Sequence, residues 1–264
     1  MNINFWQNKT IVITGTSSGI GEAILFALKE IPCTIFALDR NPKNMEAFHN
    51  AEIIPIQCDI SSDADILNVQ KQISAKTDKV DVLFNNAGIT THGRFDETDI
   101  SVFRKTFDIN FFGTVNLTSK LIEPIKRAKG VMIVTSTVSG LYGVPARAAY
   151  SSSKSALHAV FESIRIELSE IGVRSIIFCP PYTKTNLRTS GLTGSGEKLN
   201  DKQHGGKLLT PDQVANAMLA AVEDKNSRLV TMDKSGFFVK VLRLFAPALL
   251  EKKMFKKLYN DFHH

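Results

Sequence analysis

Tyr150 and Lys154, in the stretch Tyr150-Ser151-Ser152-Ser153-Lys154, place a phenol and an ammonium four residues apart, on one face of any helix that carries them. A free phenol titrates near pH ~10 and is a poor proton shuttle at neutral pH. A cation one turn away stabilises the phenolate and moves the group toward the range where general acid–base catalysis works. The pair therefore has the composition of a proton-transfer site.

The other end of the chain says what such a site would serve. Ile11-Val12-Ile13 runs into Thr14-Gly15-Thr16-Ser17-Ser18-Gly19-Ile20-Gly21 and then into an apolar-periodic stretch from Ala23 to Leu28. That order reads as strand, glycine turn and helix. Glycines at such a turn let the backbone bend tightly and approach a pyrophosphate, whose charge suits the exposed amides and positive dipole end of the following helix. The spacing is Gly-x-x-x-Gly-x-Gly rather than the commoner Gly-x-Gly-x-x-Gly, but the required context is present. A second strand, Thr34-Ile35-Phe36-Ala37-Leu38, follows and ends at Asp39, where an acidic residue accepts from a ribose 2′-hydroxyl and repels a 2′-phosphate. NAD is the expected cofactor. Arg40, the residue type that binds such a phosphate, keeps NADP as the alternative, whereas Ser18 stands where a basic loop residue would favour it.

From Lys9 to about residue 230 the chain resembles the short-chain dehydrogenase/reductase family. Thr14 to Gly21 is similar to the family's cofactor loop, and Cys58-Asp59-Ile60 to its adenine-contacting segment. Asn85-Asn86-Ala87-Gly88 matches the motif after the fourth strand, Asn110 the helix asparagine, and Tyr150 and Lys154 the catalytic pair. The segment from Gly140 to Gly194 further suggests the members described as family member 7-like. The resemblance implies cofactor contacts at Gly15, Ser17, Ser18, Gly19, Ile20, Gly21, Asp39, Arg40, Asp59, Ile60, Asn86, Ala87, Gly88, Tyr150, Lys154, Pro180, Thr183 and Thr185, the last on the nicotinamide carboxamide. Two departures stand out. Thirteen residues before the tyrosine the family's serine is Thr137 here, whose methyl narrows the pocket while its hydroxyl still donates and accepts; Ser136 and Ser139 are the alternatives. The family's Pro-Gly becomes Pro180-Pro181, which reshapes the pocket floor because proline fixes φ and lacks a donor.

The implied activity is reversible hydride transfer between a nicotinamide and a secondary alcohol or carbonyl. Tyr150 is the expected general acid/base and Thr137 the residue holding the substrate oxygen. Lys154 is expected to lower the phenol's pKa and bind ribose, and Asn110 to support a water relay. The rival readings are a catalytically silent dinucleotide-sensing protein and a membrane-surface scaffold. The family also implies a homodimer or homotetramer.

These residues need elements to position them. Apolar runs predict strands near 10–14, 33–38, 52–57, 80–84, 130–136 and 173–179, with helices near 20–30, 62–77, 98–127, 149–171 and 211–224. Such alternation predicts an α/β fold: a single-domain Rossmann fold, its doubly wound parallel sheet covered by helices on both faces. The candidate residues then gather beyond the carboxyl ends of the strands. Residues 186–210, punctuated by Gly191, Gly194, Gly196, Gly205 and Gly206, read as a pliable substrate lid. Leu141, Tyr142, Val144, Tyr182 and the segment 186–210 are expected to line an apolar substrate pocket suited to a lipid, steroid or retinoid-like molecule; His92 reads as a surface residue, with approach to the substrate as the alternative.

At 264 residues and 43% hydrophobic, the chain can bury one large core, expected within residues 1–233. Cys33, Cys58 and Cys179 read as buried thiols of a reducing compartment, and the six histidines show no ligand spacing. No metal site is expected. Without a secretory signal or ~18 consecutive apolar residues, the expected location is the cytoplasm. Net charge is +6, and within the extension 234–264 the residues 234–258 supply the excess, with seven Lys or Arg against Glu251 alone. Interleaved aromatics and Pro247 make this a basic amphipathic segment suited to peripheral membrane contact. No basic-aromatic groove or motif for nucleic acid accompanies it.

Overall fold

The computed structural model describes residues 1–42, 50–199 and 208–259. The first half comprises α1 (Ile3–Trp6), β1 (Thr10–Thr14), α2 (Gly19–Leu28), β2 (Thr34–Asp39), β3 (Glu52–Gln57), α3 (Asp63–Lys76), β4 (Val82–Asn85), β5 (Thr91–His92), α4 (Ile100–Phe107), α5 (Thr114–Lys120) and α6 (Ile122–Ala128). The second comprises β6 (Val131–Thr135), α7 (Val138–Leu141), α8 (Ala148–Glu167), β7 (Arg174–Cys179), β8 (Leu192–Thr193), α9 (Pro211–Glu223), β9 (Leu229–Thr231), α10 (Lys234–Phe245) and α11 (Pro247–Leu258).

Seven strands form one parallel sheet in the order β3-β2-β1-β4-β6-β7-β9. From β1 the chain winds outward to β3, then returns to place β4 on the other side of β1. The switch point between β1 and β4 is where a doubly wound sheet opens a crevice for a ligand. Helices cover both faces, so the central strands are apolar on both sides. Ile11, Ile13 and Ile35 join α2 and α9 through Ile24, Leu28, Val214 and Met218. Val12, Phe36 and Leu38 point the other way, onto Ile66, Val69, Leu117, Leu157 and Phe161 from α3, α5 and α8. The single tryptophan, Trp6, is fully buried, stacks on Phe84 with ring centroids 6.3 Å apart, and donates from Nε1 to Glu223 Oε1 at 2.6 Å.

Capping sets several helix starts. The Ser62 hydroxyl accepts from Asp65 N, and Thr210 and Gln213 form a capping box with Pro211 in the first turn, an arrangement that satisfies otherwise orphaned amides. The helix expected over 98–127 is broken. A π-helical turn spans Asp108–Gly113, and Leu121 leaves helical geometry at φ −101°, ψ 4°. Pro124 cannot donate to the preceding turn, which accounts for the second break. The edge strand β9 and the short pair β5–β8 were not expected. Among the described residues no helix is long and apolar enough to cross a membrane.

Candidate active site

The β1–α2 connection places Gly15 at φ +75° and Gly19 at φ +62°, left-handed conformations open to glycine at little cost. Gly21 is needed for space: a Cβ there would stand 2.2 Å from the Gly15 carbonyl oxygen. The turn is locked to the ends of β4 and β6. Thr14 Oγ1 accepts from the amides of Asn86 and Ala87, each at 2.9 Å, and Asn86 Nδ2 donates to the Thr14 carbonyl at 3.1 Å. Thr135 Oγ1 donates to Asn86 Oδ1 at 3.4 Å. At the end of β2, Asp39 Oδ2 accepts from Ser17 N and Oδ1 from Asn41 N, each at 3.0 Å. Asp59 Oδ1 accepts from both the amide and hydroxyl of Ser61. Burial works to raise the Asp59 pKa, but those bonds and the charge of Arg40 outweigh it and hold the carboxyl below its ordinary value.

One cleft of about 280 Å³ gathers Gly15, Ser17, Ser18, Gly19, Ile20, Asp39, Arg40, Asp59, Ile60, Asn86, Ala87, Gly88, Tyr150, Lys154 and Thr185 in its walls. Thr185 closes over the loop, where a Cβ on Gly19 would meet its Cγ2 at 3.1 Å. Gly21, Asn110, Thr137, Pro180 and Thr183 do not line the cleft. Gly21 lies beneath the loop, and Thr183 Oγ1 donates to the Pro181 carbonyl at 2.9 Å in a local turn. The sequence reading missed Ile89, Ile109 and Thr135, which do line it, as do Leu187 and Ser190 of the segment 186–210. Ile89 directly follows the Asn-Asn-Ala-Gly motif and Thr135 ends a strand, so topology could have found both.

Tyr150 and Lys154 share a face of α8. Lys154 is 4% exposed and its Nζ donates to the Thr135 carbonyl at 2.8 Å. Burial brings its pKa down to about 8. The expected effect of Lys154 on the phenol is corrected here: Tyr150 is pushed up to about 12, because burial dominates, and the charge that works downward is that of Arg147. Arg147 was not foreseen. It is 6% exposed, stands one turn before Tyr150 and donates from Nη1 to Thr90 Oγ1 at 3.0 Å; a charged residue so close to a candidate acid was the signal.

Asn110 lies in the π-helical turn and is fully buried. Its Oδ1 accepts from Ile89 N at 2.8 Å, while Nδ2 donates to the Ile89 carbonyl at 2.9 Å and to Ser153 Oγ at 3.1 Å. With both amide hydrogens engaged, the side chain fixes the turn after β4 against the residue preceding Lys154. Thr137 caps α7, its Oγ1 accepting from Ser139 N at 3.3 Å, which leaves its hydroxyl hydrogen for another acceptor. Ser136 is 2% exposed and bonded to His158 Nε2 at 2.6 Å.

Leu141, Tyr142 and Val144 do not join this cleft. With Ser139 they line a second groove of about 910 Å³ against Met254 and Phe255 of α11. Tyr142 donates to Glu251 Oε1 at 3.0 Å and Arg243 Nη1 donates to the Leu141 carbonyl at 2.5 Å, so the C-terminal helices draw this segment away. Tyr182 is exposed, with the Arg188 guanidinium 5.5 Å from its ring centroid. His92 sits in β5, paired with Thr193. Of the glycines expected to make 186–210 pliable, Gly191 and Gly194 are closely packed: a Cβ on Gly191 would meet Thr90 Cγ2 at 2.6 Å, and one on Gly194 the Glu97 carbonyl oxygen at 2.7 Å, whereas Gly196 takes a left-handed turn at φ +85°. Gly205 and Gly206 lie outside the described residues. Cys33, Cys58 and Cys179 are buried free thiols pushed by burial up to about 11, 12 and 11.

Known proteins share this fold. The chain is similar to a short-chain dehydrogenase from Burkholderia cenocepacia solved in complex with NADP, with a TM-score of 0.79 at 21% identity over 96% of this chain and 99% of that one. A Burkholderia phymatum short-chain dehydrogenase/reductase solved with NAD gives 0.77 at 19% identity, covering 93% and 96%. In sequence it is 31% identical to the Xenopus laevis dehydrogenase/reductase SDR family member 7B over 93% of this chain and 80% of that protein. It is 28% identical to the Drosophila melanogaster family protein 7-like over 94% and 83%. The family model described as short chain dehydrogenase matches residues 9–194, and the chain belongs to that family of oxidoreductases.

Proposed function

We propose that this protein is an NAD-dependent oxidoreductase that interconverts a secondary alcohol and a carbonyl on a hydrophobic small molecule. The observation that carries the reading is that the glycine loop, Asp39, Tyr150 and Lys154 wall one cleft. The cradle suits a dinucleotide: its glycines admit a close backbone approach that a Cβ would block, and the loop ends at the amino terminus of α2, where amides and dipole favour a pyrophosphate. Gly15 to Ile20, Asp59, Asn86 to Gly88 and Thr185 would hold the cofactor. Relatives of this fold are solved with NADP and with NAD; Asp39 favours NAD here because its negative charge opposes a 2′-phosphate. A bound nicotinamide supplies or accepts the hydride.

The chain's own residues manage the proton and the orientation. With its pKa near 12, Tyr150 is a neutral phenol at pH 7 and can donate to a carbonyl oxygen. Thr137, although outside the cleft walls, keeps its hydroxyl hydrogen free of the α7 cap and would donate it to that oxygen. Lys154 holds ribose hydroxyls and Asn110 keeps the surrounding backbone in place. Ile89, Ile109 and Leu187 give the cleft apolar walls that favour a hydrophobic substrate. Homo-oligomerisation through the helices of 98–127 and 149–171 is supported by Phe112 and Ile166, 58% and 75% exposed there. The three buried thiols suit the cytoplasm.

Tyr150→Phe tests the reading, because it keeps the ring and deletes the proton. NADH binding, followed by nicotinamide fluorescence, should survive while turnover on apolar ketones falls by roughly 10²–10⁴-fold, the usual contribution of a general acid. A variant with normal turnover would remove Tyr150 from the mechanism. Cofactor binding by the wild type without turnover on any carbonyl would favour the dinucleotide-sensing alternative.

A further inference from the structure

We propose that α10 and α11 form a docking surface for an anionic lipid bilayer. The carrying observation is that α10 is amphipathic in the wrong sense for a helix that only covers a protein core. Gly236 is buried so tightly that a Cβ there would meet Thr231 Cγ2 at 2.4 Å, and Arg243 donates from the same side to the Leu141 carbonyl. Phe237, Phe238, Leu244 and Phe245 instead face solvent, at 62%, 55%, 73% and 78% exposure. At 100° per residue these four span roughly 120° of the helix surface, a continuous apolar stripe rather than scattered side chains. Leu249, 45% exposed, extends the surface beyond the Pro247 junction.

The charge around the stripe selects its occupant. Lys252, Lys253, Lys256 and Lys257 on α11 are exposed, and residues 234–258 carry seven cations against one acidic residue. That residue, Glu251, already accepts from Tyr142. A second copy of this chain seated face to face across a two-fold axis would oppose the same lysines. Anionic headgroups satisfy them while the aromatic stripe enters the acyl boundary. The bonds from Arg243 to Leu141 and from Tyr142 to Glu251 tie this surface to the segment that follows Thr137.

The full chain should co-sediment with vesicles of phosphatidylcholine mixed with phosphatidylserine, bind phosphatidylcholine vesicles poorly, and release as salt is raised. The double variant Leu244→Glu/Phe245→Glu should lose about tenfold or more of that partitioning, while its nicotinamide-fluorescence titration matches the wild type and shows it folded. Two outcomes overturn the proposal: wild-type protein that stays in the supernatant with phosphatidylserine vesicles, or a double variant that sediments as strongly as wild type. A change of mass in light scattering between wild type and the double variant, without vesicle binding, would assign the stripe to a second copy. Sedimentation requires no turnover, so a failed docking surface and a failed oxidoreductase reading are told apart.

Discussion

Asp39→Asn separates the charge of the selector from its shape. Both carboxylate oxygens are in use, Oδ2 accepting from Ser17 N and Oδ1 from Asn41 N at 3.0 Å. An asparagine offers one acceptor and one donor, so whichever way the amide turns, its NH₂ faces a backbone N–H. Losing one charge-assisted hydrogen bond costs about 1.5–3 kcal/mol, and the loosened loop should weaken NADH and NADPH alike. Their ratio isolates the charge. A unit negative charge about 4 Å from a 2′-phosphate costs about 4 kcal/mol at an effective dielectric of ~20. Asp39 is only half-buried, and solvent and salt bring that nearer 2 kcal/mol, or roughly thirtyfold in a dissociation constant. Titrating wild type and variant with each reduced cofactor should show the wild type preferring NADH and the variant losing roughly thirtyfold of that preference. A ratio that does not move refutes the role of Asp39, and a wild type preferring NADPH hands selection to Arg40.

Gly21→Ala should weaken cofactor binding by roughly ten- to a hundredfold while far-UV circular dichroism stays native. Its methyl would stand 2.2 Å from the Gly15 carbonyl oxygen, which no rotamer relieves and which costs about 1–3 kcal/mol; an unchanged NADH affinity would show that the loop does not hold the cofactor. His158 should make the fold acid-sensitive. Burial first, then the charges of Lys240, Lys154, Arg165 and Arg243, bring its imidazole down to about 4 from 6.5. Between those values the unfolded chain holds more protons, so stability falls as pH drops from 6.5 through 4, by about 3 kcal/mol in all. Urea unfolding followed by Trp6 emission should show that loss in wild type and much less of it in His158→Gln. Equal losses in both would mean that the carboxylates, not His158, govern the acid limb.

The sheet was legible because its inner strands are buried on both faces: Ile11-Val12-Ile13 and Val131-Met132-Ile133-Val134 are apolar without alternation and bounded by turns. The edge strand β9 was not, since Leu229-Val230-Thr231 is short and half-buried and lacks such a run. Helical periodicity continues through Asp108–Gly113, where only backbone bonding defines the π turn. Gly191 and Gly194 show that pliability and close packing require the same residue, and the space around them shows close packing at these two positions. Residue types also located Tyr150, Lys154 and Asp39. They could not give the sign of the Tyr150 shift, which depends on how deeply the fold buries each charge.

That sign has a mechanistic consequence. The phenol rises from 10 to about 12, on the order of 3 kcal/mol against the phenolate as an upper value, because the residue is only half-buried. The lysine falls from 10.5 to about 8, again on the order of 3 kcal/mol against the ammonium. Desolvation therefore outweighs the attraction of Arg147 on one group and drives both toward neutrality. At pH 7 the phenol remains fully protonated and Lys154, about one unit below its pKa, remains mostly charged. This is the state of a proton donor. In the proposed mechanism, carbonyl reduction would draw on Tyr150 directly at neutral pH, whereas alcohol oxidation would need the phenolate that burial disfavours. In the cofactor-free chain it is Arg147 that limits how far the phenol rises.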